Sequence, residues 1–443
     1  SAVSNWKLGA FSDTTGHPST VSFFEQRLVF AGTDTEPQTL FFSKSGDYEN
    51  MTTGTNADDA MVYTIASNQV NRIRYLKSVR TLIVGTTGGE FTVSADGTNA
   101  AVTPTNVTIK KQSSYGTANV DAITAGNATL FLQKAKRKIR ELQYNFDSDG
   151  YIAPDLTILN DIVTKSGINE MAYQQEPDSI LWCVRDDGIF AGLTYQRSEN
   201  VVAWHQHKLG GTFGTGTSAT GYGVVESVAS ISGELTEDQL WVIVKRTING
   251  ATKRYVECFA DFDINEETST DFRFLDSHLT YSGSSTSNLS GLSHLEGQTV
   301  SILADGSAHA NKVVSSGAVT LDRSVTSAVV GLAYDSVLQT MRIEGGAAEG
   351  TAQGKTKRIS KVVLRLFETV GAKVGPSLTS LETIPFRTTS SNLGQPVPTL
   401  LAGDKEIEFR DDYNTDGFIF VKQDQPLPLT VLAIFPTVVT SDG

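Results

Sequence analysis

Two histidines separated by one residue, His205 and His207, are the closest-spaced candidates for metal ligands in this chain. In a β-strand the side chains at positions i and i+2 lie on one face, so both imidazoles could reach the same zinc ion. A zinc site also needs a third protein ligand, and the remaining histidines and the cysteines follow at no regular spacing. We therefore interpret the pair as surface or interface histidines, and we predict no metal and no cofactor.

Adjacent carboxylates are the candidates for acid–base catalysis, at Asp58–Asp59, Asp186–Asp187 and Asp411–Asp412. A glycosidase needs two carboxyl groups that face each other across the scissile bond. Neighbouring residues of a strand face opposite ways, and the pair before Gly188 lies in a sequence typical of a turn. The repeated Ser-x-Asp-x-Gly-x-Thr-Trp motif of sialidases is absent from the sequence. We therefore predict that the protein is not an enzyme.

Motifs for nucleophilic catalysis and phosphate binding are also missing from the sequence. It has no Gly-x-Ser-x-Gly elbow, and neither Cys183 nor Cys258 has the context of a catalytic thiol, so we expect two reduced thiols in the core. The glycine-rich segment GGTFGTGTSATGYG at 210–223 lacks the Lys-Ser/Thr ending of a phosphate-binding loop. We predict a flexible or ligand-exposed loop there.

Two basic clusters stand out in this acidic chain: Lys134, Lys136, Arg137, Lys138 and Arg140, and then Lys355, Lys357, Arg358, Lys361 and Arg365. Charged side chains on a hairpin edge discourage edge-to-edge aggregation, which is one interpretation. The other is a contact with a DNA backbone or with an acidic neighbouring subunit. The sequence leaves both interpretations open.

The composition describes a chain that can build packed cores but has few charges. Of its 443 residues, 39% are hydrophobic and 19% are charged, against roughly 25% charged in an average soluble protein. This balance excludes a coiled coil and a long helical bundle. The formal net charge of −13 excludes a cationic nucleic-acid-binding protein. No apolar segment reaches the roughly 18 residues of a membrane-spanning helix.

The elements that position these residues are predicted to be β-strands. Short apolar alternation flanks Asp-Asp-Gly at 186–188 and Asn-Gly at 249–250, and both turn sequences accept the positive φ angles of tight hairpins. Residues 358–370 also alternate in the manner of a strand. We predict an all-β protein.

A looser repeat recurs at the spacing of about 40 to 50 residues that is typical of β-propeller blades. Its units lie at 21–42, 72–93, 120–144, 168–204 and 225–259. We predict a β-propeller domain of about five to six blades at 1–275, with a sixth blade closed by the chain ends. Trp182, Trp204 and Trp241 lie at matching places in successive units, which favours core anchors over sugar-stacking platforms.

The composition of the sequence changes near residue 276. The polar, Ser/Gly-rich stretch at 276–298 is typical of a linker or a long surface loop. The alternating segments beyond it predict a second domain at 276–443, a β-sandwich or small barrel whose last two strands flank Pro426 and Pro428. Residues 344–358 between them are predicted to form a mobile loop.

Strings spread along almost the whole chain resemble one family, the tail tubular protein B or tail nozzle proteins of short-tailed bacteriophages. Examples are HPSTVSFFEQRLVFAGT at 17–33, DDAMVYTIASNQVNRIRYL at 58–76 and DQPLPLTVLAIFP at 424–436. Further resembling strings lie at 37–52, 82–94, 102–116, 147–159, 173–188, 201–211, 291–306 and 351–375.

The resemblance implies a structural protein of the virion tail without catalytic residues. A β-propeller and a β-rich platform domain would assemble as a six-fold homo-oligomeric ring below the portal and the tail adaptor protein. That ring would form the distal conduit, closed before infection and opened at the host envelope when genomic double-stranded DNA is ejected without sequence-specific contact. Tail fibres are implied as further partners, with no docking residue transferable to this chain. Members usually carry an additional N-terminal region ahead of the stretch at 17–33, so the resemblance implies either a partial chain or a reduced relative.

Two alternatives remain beside the conduit. A receptor- or glycan-binding tail protein predicts an exposed aromatic patch, and a propeller glycosidase predicts a carboxylate pair at the propeller axis. A conduit should not hold phosphates, because each neutralised phosphate adds salt-dependent affinity, and a net acidic chain meets that requirement. The loops at 210–223 and 345–355 are predicted to line the lumen or a subunit contact.

Overall fold

The structure is a computed structural model that describes residues 8–67, 69–97, 100–233, 237–260, 272–344, 351–386 and 400–441. The described residues form β-strands joined by turns, with three short 3-10 helices (Arg197–Glu199, Gly216–Ser218 and Ser293–Leu295) and no α-helix. The prediction of an all-β protein is therefore confirmed. The chain divides into two compact units, Ser1–His207 with Val225–Ile243, and Lys208–Val224 with Val244–Gly443. The domain boundary predicted after residue 275 stays a prediction.

The first unit contains four antiparallel sheets of four strands, each built from strands that follow one another in the sequence. The first two sheets comprise β1 (Thr20–Phe24), β2 (Arg27–Ala31), β3 (Thr39–Phe42) and β4 (Met61–Thr64), and then β5 (Ile73–Ser78), β6 (Leu82–Thr86), β7 (Gly89–Ser94) and β8 (Thr108–Lys111). The next two comprise β9 (Ile123–Ala125), β10 (Ala128–Leu132), β11 (Ile139–Asn145) and β12 (Gly150–Ile152), and then β13 (Ile168–Gln174), β14 (Ile180–Arg185), β15 (Phe190–Gln196) and β16 (Val201–His207). Four of the five predicted repeat units each fall on one of these sheets.

The fifth predicted unit corresponds to a three-stranded sheet of β17 (Val224–Ile231), β18 (Gln239–Ile248) and β19 (Ala251–Cys258). Its second hairpin turns at Asn249 and Gly250, whose φ angles of 48° and 72° are left-handed, as the Asn-Gly sequence predicts. Gly188, with φ of 79°, closes the hairpin between β14 and β15 in the same conformational region.

The second unit contains the C-terminal strands β20 (Asp276–Ser290), β21 (Thr299–Ala304), β22 (Ser307–Val313), β23 (Ala318–Leu332), β24 (Ser336–Gln339), β25 (Thr356–Thr369), β26 (Lys373–Ser377), β27 (Ser380–Thr383), β28 (Leu401–Glu408), β29 (Phe420–Gln423) and β30 (Thr430–Ser441). They form three sheets, with strand orders β20-β23-β21-β22, β24-β29-β26-β27 and β28-β25-β30. The predicted strands at 358–370 and around Pro426 and Pro428 are confirmed by β25, β29 and β30.

The predicted linker at 276–298 is wrong, because β20 occupies most of it. This strand pairs with β23 from Asp276 opposite Leu332 to Ser290 opposite Ala318, with three register shifts. Its side chains are largely exposed, while Leu289 is buried in the core of the unit. The strand pairs through backbone hydrogen bonds, which serine and glycine can form as well as apolar residues. Its sequence therefore shows no apolar alternation from which a strand could be predicted.

Each unit has its own apolar cores. In the first unit, alternate strand residues such as Val29, Leu40 and Leu82 pack in one cluster, and Leu130, Leu181 and Leu193 pack in another. In the second unit, Ile359, Val362, Leu364 and Leu366 of β25 are buried while Arg358 and Arg365 are exposed. A bulge between Ile359 and Lys361 shifts the phase of burial along the strand. Within the described residues, no helix is long and apolar enough to cross a lipid bilayer.

Candidate functional site

The first basic cluster lies in the turn between β10 and β11, and neighbours hold three of its five cations. The contacts are Lys136 Nζ to Asn169 Oδ1 at 2.7 Å, Lys138 Nζ to Asp155 Oδ2 at 2.8 Å, and Arg140 to Gln133 Oε1 at 2.8 Å and to the Ala153 carbonyl at 2.7 Å. The side chains of Lys134 and Arg137 are exposed and have no polar partner among the described residues. These two cations of the cluster are therefore the most available to another molecule.

In the second basic cluster, two cations bind backbone carbonyls and two pair with carboxylates of the same unit. Buried Lys357 donates to the Ile343 carbonyl at 3.2 Å, Arg358 to the Asp411 carbonyl at 3.1 Å, Lys361 pairs with Glu406 at 3.2 Å, and Arg365 holds Asp404 through bonds of 2.8 and 2.9 Å. The hydrogen bonds from Arg365 lower the pKa of the Asp404 carboxyl. Lys355 precedes β25 in a turn, where its backbone donates to Ala352. Two of the five cations, Lys361 and Arg365, thus form a cross-strand charge match between β25 and acidic β28.

An open cleft of about 590 Å³ lies beside the same strands in the second unit. Its lining comprises Arg358, Ser360, Lys361, Glu406, Glu408, Phe409, Arg410, Asp411 and Asp412. The cleft thus brings together two of the predicted site residues, Arg358 and Lys361, and one predicted aspartate pair. Because acidic side chains outnumber basic ones in the lining, the cleft does not favour phosphate.

The glycine-rich loop at 210–223 has an anchored base and an exposed tip. Arg246, fully buried, donates from Nε to the Gly210 carbonyl at 2.7 Å, and Asp276 Oδ2 accepts from the Gly210 N–H at 2.6 Å. Burial raises the pKa of Asp276 to about 6. Leu209 bridges to Gly223 and Phe213 to Thr220, whereas 215–219 are exposed. The segment is therefore a narrow hairpin-like loop, and its tip is the part that can contact another molecule.

The second predicted loop, at 345–355, lies mostly outside the described residues. The described part, from Thr351, is tied to Glu344, whose Oε1 accepts from the Thr351 hydroxyl at 2.6 Å and from the Ala352 N–H at 2.7 Å.

Each predicted aspartate pair has a local partner. Lys44 Nζ lies 3.4 Å from Asp58 and 3.3 Å from Asp59, Arg185 lies 2.5 Å from Asp187, and the Asn414 amide lies 3.0 Å from Asp411 Oδ1. These contacts fix turns and loops, in agreement with the structural interpretation of the pairs. Among the described residues, no group of three or more His, Cys, Asp and Glu side chains could hold a metal ion.

The two histidines of β16 interact with each other and with aromatic rings. His205 Nδ1 lies 2.7 Å from His207 Nε2, and both imidazoles contact the indole of Trp182, with centroid distances of 5.6 and 5.1 Å. Phe190 stacks on the other part of that indole at 4.8 Å. Burial lowers the pKa of His205, and burial together with the charge of His205 lowers the pKa of His207 to about 4. The pair is thus a neutral packing element at pH 7.

Acid is expected to destabilise the first unit through this pair. Below the ordinary histidine pKa of about 6.5, these histidines are protonated in the unfolded chain but stay neutral in the folded protein. The free energy of unfolding therefore falls as the pH drops from 7 towards 4. We expect His207→Gln to remove about 2 kcal/mol of that pH-dependent loss, measured by urea denaturation at several pH values. His17→Gln, at an exposed histidine, is the control and should leave the slope unchanged. If the free energy of unfolding depends on pH equally steeply in His207→Gln and in the native protein, this assignment is wrong.

Sequence reasoning missed two buried carboxyl groups in the first unit. Glu90 of β7 and Glu141 of β11 are fully buried, and burial raises the pKa of each. Glu90 accepts from the Ser113 hydroxyl, and Glu141 lies 3.1 Å from Arg197 Nη1. A carboxylate between apolar strand residues is the sequence signal that could have revealed them.

The tryptophans and cysteines follow the predictions in part. Trp182 is buried, and Trp204 packs against a core cluster while its indole donates to the Leu156 carbonyl at 2.9 Å. Trp241 is only half-buried. Neither cysteine forms a disulfide; Cys183 is buried, which raises the pKa of its thiol, but Cys258 is exposed, so the prediction of a core thiol is wrong there.

No protein-family model and no curated protein matches the chain. Among solved structures, an auxiliary nutrient binding protein from Bacteroides thetaiotaomicron VPI-5482 is 11% identical over 56% of this chain and 57% of its own length, with a TM-score of 0.29. A luciferin-regenerating enzyme is 10% identical over 52% of this chain and 84% of its own length, with a TM-score of 0.21. The chain thus spans little more than half of the nutrient-binding protein. Similarities at these TM-scores support no conclusion about fold or function.

Proposed function

We propose that the protein is a structural, non-enzymatic component of a bacteriophage tail, a subunit of the ring-shaped nozzle through which genomic DNA leaves the virion. The resemblance to tail nozzle proteins along the sequence motivates the proposal. The observation on which it rests most is that internal acidic and carbonyl partners hold most cations of both basic clusters. Cations that already bind carbonyls or carboxylates are less available to phosphates, and the net charge of −13 further weakens the hold of the surface on DNA.

The proposed architecture is a β-propeller followed by a β-rich platform. Four consecutive four-stranded antiparallel sheets and a fifth three-stranded sheet are the elements that propeller blades require. The three C-terminal sheets would form the platform, as a sandwich or small barrel. The exposed tip of the loop at 210–223 is the proposed lining of the lumen or of a subunit contact.

In this proposal the partners are further copies of the chain in a six-fold ring, the tail adaptor protein and tail fibres. Double-stranded DNA passes through without sequence-specific contact, and the ring opens at the host envelope.

Particles assembled without this chain provide the functional test. Because the closed nozzle retains the genome, particles from a nonsense mutant are expected to lose most of their packaged DNA to added nuclease. Suppression of the mutation should restore both protection and infectivity. Particles that keep their DNA protected yet fail to adsorb to cells would contradict the nozzle and favour a receptor-binding role.

A second candidate function, binding of a host glycan, is favoured by one surface feature. The hairpin of β11 and β12 exposes Phe146 at its tip, and Tyr144 and Tyr151 stack edge to face at 5.8 Å beside it. The Tyr144 hydroxyl donates to Asp149 Oδ1 at 2.6 Å. Aromatic faces next to a carboxylate are a common arrangement for contacting sugars.

Replacing Phe146 by alanine tests this second function directly. If the hairpin binds host polysaccharide, we expect Phe146→Ala to weaken binding roughly tenfold in a glycan pull-down or calorimetric titration. Val256→Ala, at an exposed apolar residue of β19, is the matched control. Absence of any polysaccharide binding by the native protein would remove this candidate.

A further inference from the structure

Two exposed apolar patches of opposite charge lie in different sheets of the first unit. The acidic patch consists of Val21 and Phe23 of β1 and Tyr48 of the loop after β3, flanked by exposed Asp47 and Glu49. Its three apolar residues are between 44% and 60% exposed, and the rings of Phe23 and Tyr48 meet edge to face at 5.1 Å. Concentrated exposed apolar side chains of this kind mark an interaction surface.

The basic patch consists of Ile158, Leu159 and Ile162, in the turns between β12 and β13, with Lys134 and Arg137 of the neighbouring hairpin turn. Its three apolar residues are between 71% and 96% exposed. The Thr164 hydroxyl donates to the Arg137 carbonyl at 2.6 Å, which ties the two segments together. Asp161 and Lys165, both exposed in the same segment, offset each other in charge.

The fold keeps the apolar side chains of the basic patch exposed. Leu156 and Val163 of the same segment are buried in the core, and the Trp204 indole donates to the Leu156 carbonyl at 2.9 Å. Because Leu156, Val163 and the Trp204 indole fix the inner side of this segment, its other apolar side chains cannot turn inward. These are Ile158, Leu159 and Ile162. These side chains are therefore held towards solvent in the isolated chain.

The acidic patch is supported in a comparable way. The turn at Glu25 and Gln26 joins β1 to β2, and the Gln26 carbonyl accepts from the Gly46 N–H at 2.8 Å, which fixes the loop that carries Tyr48 beside β1. The opposing cation in this loop, Lys44, is already paired with Asp58 and Asp59. The charges of Asp47 and Glu49 therefore remain available to another molecule.

We propose that the acidic patch of one copy binds the basic patch of the next copy. Contact between like patches would bring like charges together, whereas contact between unlike patches pairs apolar surface with apolar surface and opposite charges around it. In this proposal each copy uses its two patches on two different neighbours, which makes the interface heterologous. A heterologous interface builds a ring when its rotation closes and an open filament when it does not. The inference rests on the proposed function for the place of that ring in a virion, but the contact itself concerns purified protein alone.

Two variants, each with one patch broken, test the contact. Phe23→Asp places an uncompensated charge in the acidic patch, and Leu159→Asp does so in the basic patch; both residues are exposed, so folding should be unaffected. By sedimentation velocity and mass photometry, the native chain is expected to form oligomers larger than a dimer. Each variant alone is expected to be monomeric, with its association weakened on the order of 30-fold or more, the loss typical of a central interface residue.

The decisive sample is an equimolar mixture of the two variants. Phe23→Asp retains an intact basic patch and Leu159→Asp an intact acidic patch, so the mixture should form one-to-one dimers and nothing larger. Val256→Asp, at an exposed apolar residue outside both patches, should assemble like the native chain. Circular dichroism of all variants verifies that they are folded.

Three results would overturn the inference: a native chain that stays monomeric at tens of micromolar, single variants that assemble normally, or a mixture without dimers. Binding of polysaccharide by a monomeric native chain, lost in Phe23→Asp, would reassign the acidic patch to a glycan. The two proposals fail separately. Rings that form through these patches but are absent from the tail axis contradict the nozzle, while an axial ring with other surfaces in contact contradicts this interface.

Discussion

Replacing Arg246 by methionine is expected to lower the free energy of unfolding of the second unit by about 3 to 5 kcal/mol. This is the usual cost of removing one partner of a buried ion pair. Arg246 is fully buried and holds Glu257 through both carboxylate oxygens, one of them at 3.0 Å, as well as the Gly210 carbonyl at 2.7 Å. Without the guanidinium, a carboxylate and a backbone carbonyl lose their partner inside the protein. Urea denaturation measures the loss.

The base of the loop at 210–223 should loosen in the same variant. Amide hydrogen exchange of Gly210 and Gly223 is expected to accelerate, because Arg246 binds the Gly210 carbonyl and occupies the space beside Gly211 and Gly223. Arg246→Lys keeps the charge but cannot bind both carboxylate oxygens, so it should give an intermediate loss. Lys253→Met, at an exposed cation of β19, is the control and should stay within about 0.5 kcal/mol of the native protein. A loss below about 1 kcal/mol for Arg246→Met would contradict the role of the pair.

Replacing Arg27 by methionine is expected to destabilise the first unit by about 3 kcal/mol. This buried guanidinium donates to four backbone carbonyls, those of Ser43 at 2.8 Å, Asp59 at 2.7 Å, Ala57 at 2.6 Å and Asp58 at 3.4 Å. Each bond is charge-assisted, and together the bonds join the two ends of the long connection between β3 and β4. The measurement is again urea denaturation, followed through the tryptophans of the first unit.

Arg27→Met should also weaken self-association, since the same connection carries Tyr48 of the acidic patch. Arg80→Met, at an exposed arginine of the same unit, is the control for a lost charge and should change neither stability nor assembly. If Arg27→Met unfolds at the same urea concentration as the native protein, the other contacts of the connection suffice to hold it, and the role assigned to Arg27 is wrong.

The hairpins were predictable because their cause is local. Asn249–Gly250 and Asp187–Gly188 accept the left-handed backbone that a tight turn needs, and apolar alternation on either side sets the strands. Strand β20 was not predictable by the same reasoning, because its serines and glycines pair through the backbone alone. The sheet containing β25 depends on pairing with β28 and β30, which are distant in the sequence.

The candidate site shows the same limit. The cations of 355–365 were visible as a cluster, but the pairing of Lys361 with Glu406 and of Arg365 with Asp404 depends on the register between β25 and β28. Arg246 gave a signal that was overlooked: it continues the buried phase of β18 set by Leu240, Val242 and Val244. A charged residue in the apolar phase of a strand indicates a buried partner. The exposure of Ile158, Leu159 and Ile162 had no such signal in the sequence, because these residues lie in turns and turns have no regular alternation of buried and exposed positions.

Cryo-electron microscopy of intact virions tests the central claim most directly. The account predicts a six-fold ring of this chain on the tail axis, with a lumen that admits double-stranded DNA and with the loop at 210–223 at the lumen or at a subunit contact. Copies located at the periphery of the tail, away from the axis and without ring symmetry, would contradict the conduit.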